Sequence, residues 1–154
     1  MSDSYIELTI NDTSLKLPLG MAEADLPSLL VPRKYLRNDD PEMQRTSFQL
    51  PDDGVEIIFQ NGALRGVFLY LASSDNGQPV FTGSTNFLSE AFFRAPSPHL
   101  FEVTLAASSF ARSARQYPNA IDMLTDKTRL RYETRPDQSI IYFDSGASLR
   151  TGSM

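Results

Sequence analysis

Hydrophobic and polar residues alternate at the start of the chain. Apolar side chains occupy every second position of residues 5–10, and Leu15 and Leu17 repeat this pattern after Asn11-Asp12. A period of two is typical of a half-buried strand, and an Asn-Asp pair between two such runs favours a tight turn. The pattern therefore predicts a β-hairpin over the first 17 residues.

The apolar spacing then changes to that of a helix. Residues 21–30 carry apolar side chains three and four positions apart, and Glu23 and Asp25 suit a first helical turn. Pro27 limits the length, because an interior proline removes a backbone hydrogen bond. We expect a short helix here, followed by a polar, irregular segment over residues 31–45.

A β-meander follows this segment. The strands are predicted at residues 46–50, 55–59 and 64–71. Asp-Asp-Gly at 52–54 and Asn61-Gly62 separate them, and Asn-Gly is a strong hairpin signal. Residues 73–77 predict another turn, and Val80-Phe81 a short additional strand.

The second half repeats this order of elements. Thr85 or Asn86 is a candidate cap for a helix over residues 87–92, and Ser97-Pro98 is a typical helix start. Residues 107–120 are small and polar, which predicts a loop with some helix. Three further strands are predicted at residues 129–134, 139–143 and 148–151.

The two halves also resemble each other in sequence. Residues 57–63 (IIFQNGA) align with residues 141–147 (IYFDSGA), and Pro-Asp precedes both segments. This similarity indicates a tandem pseudo-repeat of a helix plus three strands, residues 1–82 and 83–154, within one domain. The alternative is that any two hairpins with glycine-containing turns look alike.

The predicted fold class is α+β, with antiparallel meanders and a few short helices on one face of the sheet. The apolar positions of these elements also predict the core. The expected core residues are Ile57, Phe59, Leu69, Leu71, Val103, Leu105, Ile141 and Phe143.

Charge is unevenly distributed along the chain. The formal net charge is −5, and residues 1–56 alone carry 11 acidic and 5 basic side chains. Because phosphate binding needs clustered Lys and Arg, this acidity argues against direct contact with nucleic acid and suits a basic protein partner. The alternative is a solvated acidic surface that only aids solubility.

Cysteine is absent, which excludes disulfides and thiolate metal sites and suits a reducing compartment. The first residues lack the features of a signal peptide, and no apolar run approaches the ~20 residues of a membrane helix. We therefore expect a cytoplasmic protein that does not contact a membrane.

Catalytic motifs are missing from the sequence. His99 is the single histidine, and no Gly-x-Ser-x-Gly elbow or phosphate-binding loop accompanies it. The carboxylate clusters lack the spacing of a calcium loop. Arg129 and Arg131 should share one face of a strand, most simply a solvated face, with nucleic-acid contact as the alternative. We expect no cofactor, no metal and a binding role rather than an enzyme, although a pocket with converging polar groups would favour a small-ligand protein.

The chain resembles the immunity proteins that accompany S-type pyocins, the nuclease bacteriocins of Pseudomonas. The resemblance lies in its size, its acidic first third, the run from Thr46 to Leu71 and the closing strands from Arg129 to Arg150. It implies a protein that binds and inhibits the basic nuclease domain of a cognate toxin. Immunity to another type of secreted toxin, or a chaperone for one, is the alternative.

Local charge density suggests where such a partner would bind, because carboxylates can pair with the Arg and Lys that otherwise grip phosphates. An aromatic anchor would complement them, since interface hot spots favour aromatic residues. The candidate partner-binding residues are Tyr35, Asp39, Asp40, Glu42, Asp52, Asp53 and Glu56.

Overall fold

The computed structural model describes residues 4–71 and 79–146, and antiparallel strands dominate them. The first two strands, β1 (Tyr5–Ile10) and β2 (Thr13–Pro18), form the predicted hairpin. Asn11 and Asp12 both have positive φ, which matches the backbone twist that a two-residue hairpin turn requires. A short strand, β7 (Ser84–Thr85), pairs with the other edge of β1 and completes a three-stranded sheet.

Within the described residues, a second sheet contains eight strands, all antiparallel to their neighbours. Its strands are β3 (Leu36–Asp40), β4 (Arg45–Leu50), β5 (Val55–Gln60), β6 (Ala63–Tyr70), β8 (Ala111–Arg112), β9 (Ala120–Leu124), β10 (Arg129–Glu133) and β11 (Ile140–Asp144). Their spatial order is β3-β4-β5-β6-β11-β10-β9-β8. Two meanders therefore meet where β6 pairs with β11. This architecture confirms the α+β class.

The described residues form three short helices, two of which begin at serine caps. α1 (Leu26–Leu30) follows a 3₁₀ turn at Glu23–Asp25, and Pro27 lies in its first turn, where a missing N–H costs no helical bond. α2 (Glu90–Arg94) and α3 (Pro98–Ala107) start after Ser89 and Ser97, whose hydroxyls accept backbone N–H bonds. Pro27 thus starts its helix and does not interrupt it.

The helices and the smaller sheet pack on one face of the large sheet and form the core with it. Seven of the eight expected core residues are buried, and Val103, at 51% exposure, is the exception. Phe101 and Leu105 are four residues apart and point from α3 into the core, so the helical period carries Val103 to the solvent side.

Several boundaries differ from the prediction. The segment 31–45 is not irregular throughout, because it contains β3, and β9 was not predicted. Residues 80–81 form no strand, although Phe81 is fully buried. The helix predicted over 87–92 begins only at Glu90, since Thr85 caps a turn at Phe87 and Leu88 instead. The predicted turn at 73–77 and strand at 148–151 lie outside the described residues.

The pseudo-repeat is not confirmed. Residues 57–63 begin in β5, which is separated by β6 from the junction of the two meanders. Residues 141–147 begin in β11, which forms that junction itself. The two aligned segments therefore occupy different places in the sheet.

Candidate functional site

The large sheet has a second face, opposite the core, that carries charged and aromatic side chains. We call it the open face. It carries Arg45, Ser47, Glu56, Ile58, Arg65, Phe68, Tyr70, Asp122, Arg129, Arg131, Glu133, Ile140, Tyr142 and Asp144. Side chains of a strand alternate between its faces, so these residues, apart from Arg65, alternate along each strand with residues that face the core.

One row of directly opposed residues crosses the middle of this face. Glu56 of β5 faces Phe68 of β6, Phe68 faces Tyr142 of β11, Tyr142 faces Arg131 of β10, and Arg131 faces Asp122 of β9. Cross-strand neighbours in such a row lie within reach of one another. The row therefore runs from a carboxylate through two aromatic rings to an ion pair.

Two of the ion pairs that the described residues form on this face are bidentate. Arg131 donates from Nε and Nη2 to the two carboxylate oxygens of Asp122 at 2.7 and 2.9 Å, and Asp122 has no exposed side-chain area. Arg129 binds Asp144 in the same way, at 2.9 and 2.7 Å, and both side chains are nearly buried. Paired short bonds of this kind fix the plane of each guanidinium group.

Further contacts hold Arg131 in place. Its Nη1 lies 3.8 Å from Glu133, and its guanidinium carbon lies 4.7 Å from the ring centre of Tyr117. The hydrogen bond with Asp122 is the largest cause that raises the pKa of Arg131, while burial opposes it. Arg135 in turn binds Glu133 at 2.6 Å. The guanidinium groups at this end of the face are thus ordered by carboxylates before any partner arrives.

Aromatic contacts order the centre of the face. Phe68 and Tyr142 meet edge to face with ring centres 4.5 Å apart, and burial raises the pKa of Tyr142. Tyr142 crosses Gly66, where a Cβ would lie 2.5 Å from its hydroxyl oxygen. Beside them Tyr70 donates a 2.7 Å bond to Glu56, and burial followed by this bond raises the pKa of Tyr70.

Arg65 reaches the open face through an irregularity of β6. The pairing of β5 with β6 shifts at Ile58, so that Gly66 faces Ile58 and Arg65 is the extra residue of a β-bulge. Bulges re-aim side chains in this way. Arg65 donates bonds to Gln60 and Tyr142. Neither Arg65 nor Arg45 forms an ion pair with a carboxylate in the described part of the chain.

Most of the open-face side chains line an open basin of about 470 Å³. Its lining extends from Asn38 of β3 to Arg131 of β10, across six neighbouring strands. Six neighbouring strands span about 24 Å, so the basin extends over most of the width of the large sheet. As far as the described residues go, the lining includes five arginines and no lysine. The basin is charge-balanced rather than acidic, because carboxylates neutralise most of these arginines.

The predicted partner-binding residues do not form one patch. Asp39, Asp40 and Glu42 lie at the tip of the β3–β4 hairpin, whereas Asp52 and Asp53 lie in the turn at the other end of β4. Six strand residues separate these two groups by about 17–20 Å. The structure therefore divides the predicted acidic surface into two separate ends.

Only part of this predicted set faces the basin. Asp39, Asp40 and Glu56 line the basin. By strand register the side chains of Asp40 and Glu56 lie on the open face, while that of Asp39 alternates to the other side and accepts bonds from Arg37 and Thr46. Tyr35 is half-exposed and packs on Phe48, 5.6 Å between ring centres.

Asp53 is also engaged within the protein, since its carboxylate lies 3.6 Å from Arg33. Burial raises the pKa of Asp53, and the charge of Arg33 opposes this. A carboxylate held in this way is less free to pair with a partner than a solvated one.

The open face itself was not predicted as a site. Arg129 and Arg131 do share a face, as their alternation indicated, but that face is built of ion pairs and is not simply solvated. Their partners lie 15 and 9 residues away in sequence, so no local motif announces them.

Neither metal nor membrane chemistry is visible in the residues that the structure describes. No group of three His, Cys, Asp or Glu side chains is placed to hold a metal ion there, and His99 is exposed in the first turn of α3. No helix in the same residues is long and apolar enough to cross a membrane.

Comparison with protein families, with curated proteins and with solved structures gives no match.

Proposed function

We propose that this chain is an immunity protein: it binds and inhibits the nuclease domain of a cognate bacteriocin in the cytoplasm of the producing cell. The open face is its contact surface, with the acidic hairpin tip beside it. The role is that of a binding protein and not of an enzyme.

The composition of the basin carries this proposal. Protein interfaces are enriched in Arg, Tyr and Phe and depleted of Lys, and hot spots favour Arg and Tyr. The basin has this composition, with Arg65, Phe68 and Tyr142 near its centre. Because bidentate bonds already order Arg129 and Arg131, less side-chain entropy is lost when a partner binds.

The charge around the basin supports a nuclease as the partner. A nuclease domain must be basic to hold a phosphate backbone. Asp40 and Glu42 form an acidic rim at the β3–β4 end, and such a rim speeds the encounter with a basic surface. Arg45 and Arg65, which have no carboxylate partner among the described residues, suit acidic groups of the same domain.

A small-molecule ligand is the second candidate, and the volume of the basin favours it. Ligand pockets usually measure about 300–1,000 Å³, but they bury most of the ligand's surface. This basin is open along its length and lined by six strands, which suits a protruding loop or side chain of a protein better. Immunity to another secreted toxin, or a chaperone role, would use the same surface.

Capture of the partner from the source bacterium after DNA damage tests the proposal, because DNA damage induces many bacteriocins. We expect one stoichiometric basic protein with nuclease activity that is silenced when more of the chain is added. The variants Arg65→Glu and Tyr142→Ala should lose capture and protection. Arg94→Glu, on the exposed helix α2, is the matched control and should retain both.

Three results would contradict the proposal. Capture of a partner without nuclease activity would point to another toxin or to a chaperone role. Undiminished inhibition by folded Arg65→Glu and Tyr142→Ala proteins would remove the open face as the interface. Retention of a small molecule and no protein would favour the second candidate.

A further inference from the structure

The edge strand β3 exposes backbone groups on one side. It pairs with β4, and all five of its residues are exposed. Across residues 4–71 and 79–146, no strand pairs with its other edge. An unpaired edge presents free N–H and C=O groups to another strand.

The other edge strands are shorter or carry residues that discourage pairing. β7 and β8 have only two residues each. β2 exposes Lys16 and ends in Pro18, and both residue types are common on edges that avoid association. Among the described strands, β3 is a longer edge without lysine or proline, and its charged residues oppose association only where like charges meet.

The sequence of β3 is complementary to itself. When two copies pair antiparallel about Asn38, Arg37 of each copy lies opposite Asp39 of the other. Positions 37 and 39 alternate to the same face of the sheet, so these opposite charges meet directly. Any two five-residue strands can form the backbone hydrogen bonds of an antiparallel pair. A strand with opposite charges on either side of its central residue, such as β3, also places each charge opposite its counterpart in the second copy.

Exposed apolar side chains are concentrated in the part of the sequence that surrounds β3. Five of the seven large apolar side chains that are exposed in the described residues fall within residues 29–43. Leu36 lies on β3 itself, and Met43 lies in the hairpin that leads out of it. A second copy seated on the edge would shield part of this apolar surface from water.

We propose that two copies of this chain associate through antiparallel pairing of their β3 edges. The two large sheets then form one continuous sheet. A two-fold axis perpendicular to the sheet leaves both open faces on the same side. The dimer therefore presents two basins in the same direction.

Sedimentation equilibrium of the full chain tests this proposal, at concentrations up to about 0.5 mM to cover weak association. Arg37→Asp and Asp39→Arg each place like charges opposite each other, so each variant alone should dimerise about tenfold more weakly or worse. An equimolar mixture restores opposite charges at both positions and should dimerise like the wild type. Arg94→Asp, which makes the same charge change on α2, should have no effect.

The equimolar mixture of the two variants distinguishes a loss of strand pairing from a loss of folding. Arg37 also binds Glu23 at 2.8 Å, so its replacement can weaken the monomer, and circular dichroism of each variant monitors this. Recovery of the dimer on mixing would support the proposal, since two misfolded chains would not restore it. A monomeric wild type at the highest concentration would refute it. So would variants that dimerise normally, or a mixture that stays monomeric.

Discussion

Replacing Arg131 with methionine tests how the open face is held together. The change keeps a long aliphatic side chain but removes both bonds to Asp122, whose carboxylate has no exposed area. Removing one partner of a buried ion pair leaves an uncompensated charge and costs about 3–5 kcal/mol. We expect the free energy of unfolding to fall by about 3 kcal/mol, the lower end of this range, because Arg131 itself is 20% exposed.

Two further variants test whether the lost stability comes from the unpaired carboxylate of Asp122. Asp122→Asn leaves Arg131 charged but partly exposed and still near Glu133, so it should cost only about 1–2 kcal/mol. Arg131→Met combined with Asp122→Leu removes both charges and should cost less than Arg131→Met alone, because no buried charge remains. The double variant is thus expected to be more stable than one of its parents.

Urea denaturation at neutral pH measures these differences, with the slope of the transition as a check that the unfolded state is unchanged. Arg112→Met is the matched control. It breaks the exposed pair with Glu102 and should cost less than about 1 kcal/mol. A double variant less stable than Arg131→Met, or Asp122→Asn more damaging than Arg131→Met, would refute the view that a buried carboxylate depends on this arginine.

Three further predictions concern other parts of the fold. Gly66→Ala should cost about 1–3 kcal/mol in urea denaturation, because its Cβ would lie 2.5 Å from the Tyr142 hydroxyl; an unchanged midpoint would contradict this. In thermal melts, replacing buried Leu105 with Ala should cost about 2–5 kcal/mol, and replacing exposed Val103 with Ala less than about 0.5 kcal/mol. Equal effects would contradict the orientation of α3 in which Leu105 faces the core. Burial raises the pKa of Asp53 above its ordinary value of 3.8. The stability that the protonated form contributes is therefore present below pH 3.8 and is lost as the pH rises through the raised pKa. The stability of Asp53→Asn relative to the wild type should therefore rise as the pH increases from below 3.8 to neutral, and a stability difference independent of pH would contradict this.

Strands marked by turn residues could be predicted from the sequence, and strands defined only by their neighbours could not. Asn11-Asp12 and Asn61-Gly62 fix hairpins through backbone conformations that these residues tolerate, so the flanking strands were predicted closely. β3 has no apolar alternation, because all of its residues are exposed. It is a strand because the edge of β4 offers backbone groups to pair with, which is tertiary information.

The open face was hidden for a related reason. The bulge at Arg65 resets the alternation of β6, so that Leu64 and Val67, three residues apart, are both buried. A strict period of two does not predict that Arg65 reaches the basin. The pairing of Arg131 with Asp122 likewise depends on the register of β9 against β10. The sequence shows which residue types each strand carries, but it does not show which residues they face on the neighbouring strands.

Net charge along the sequence is also a poor guide to the charge that a partner meets. Asp39 and Asp53 of the acidic first third are engaged by Arg37 and Arg33, whereas Glu42 at the hairpin tip is exposed. We expect the hairpin tip to steer a basic partner and the ordered basin to hold it. Salt should then lower mainly the association rate, since exposed charges are screened within about 10 Å at 0.1 M salt. In stopped-flow binding to the captured nuclease, added salt should lower the association rate about tenfold or more while the dissociation rate changes little. Glu42→Gln should reduce that salt dependence, and Tyr142→Ala should instead speed dissociation. Equal effects of salt on both rates would mean that exposed charges, and not the ordered basin, hold the partner.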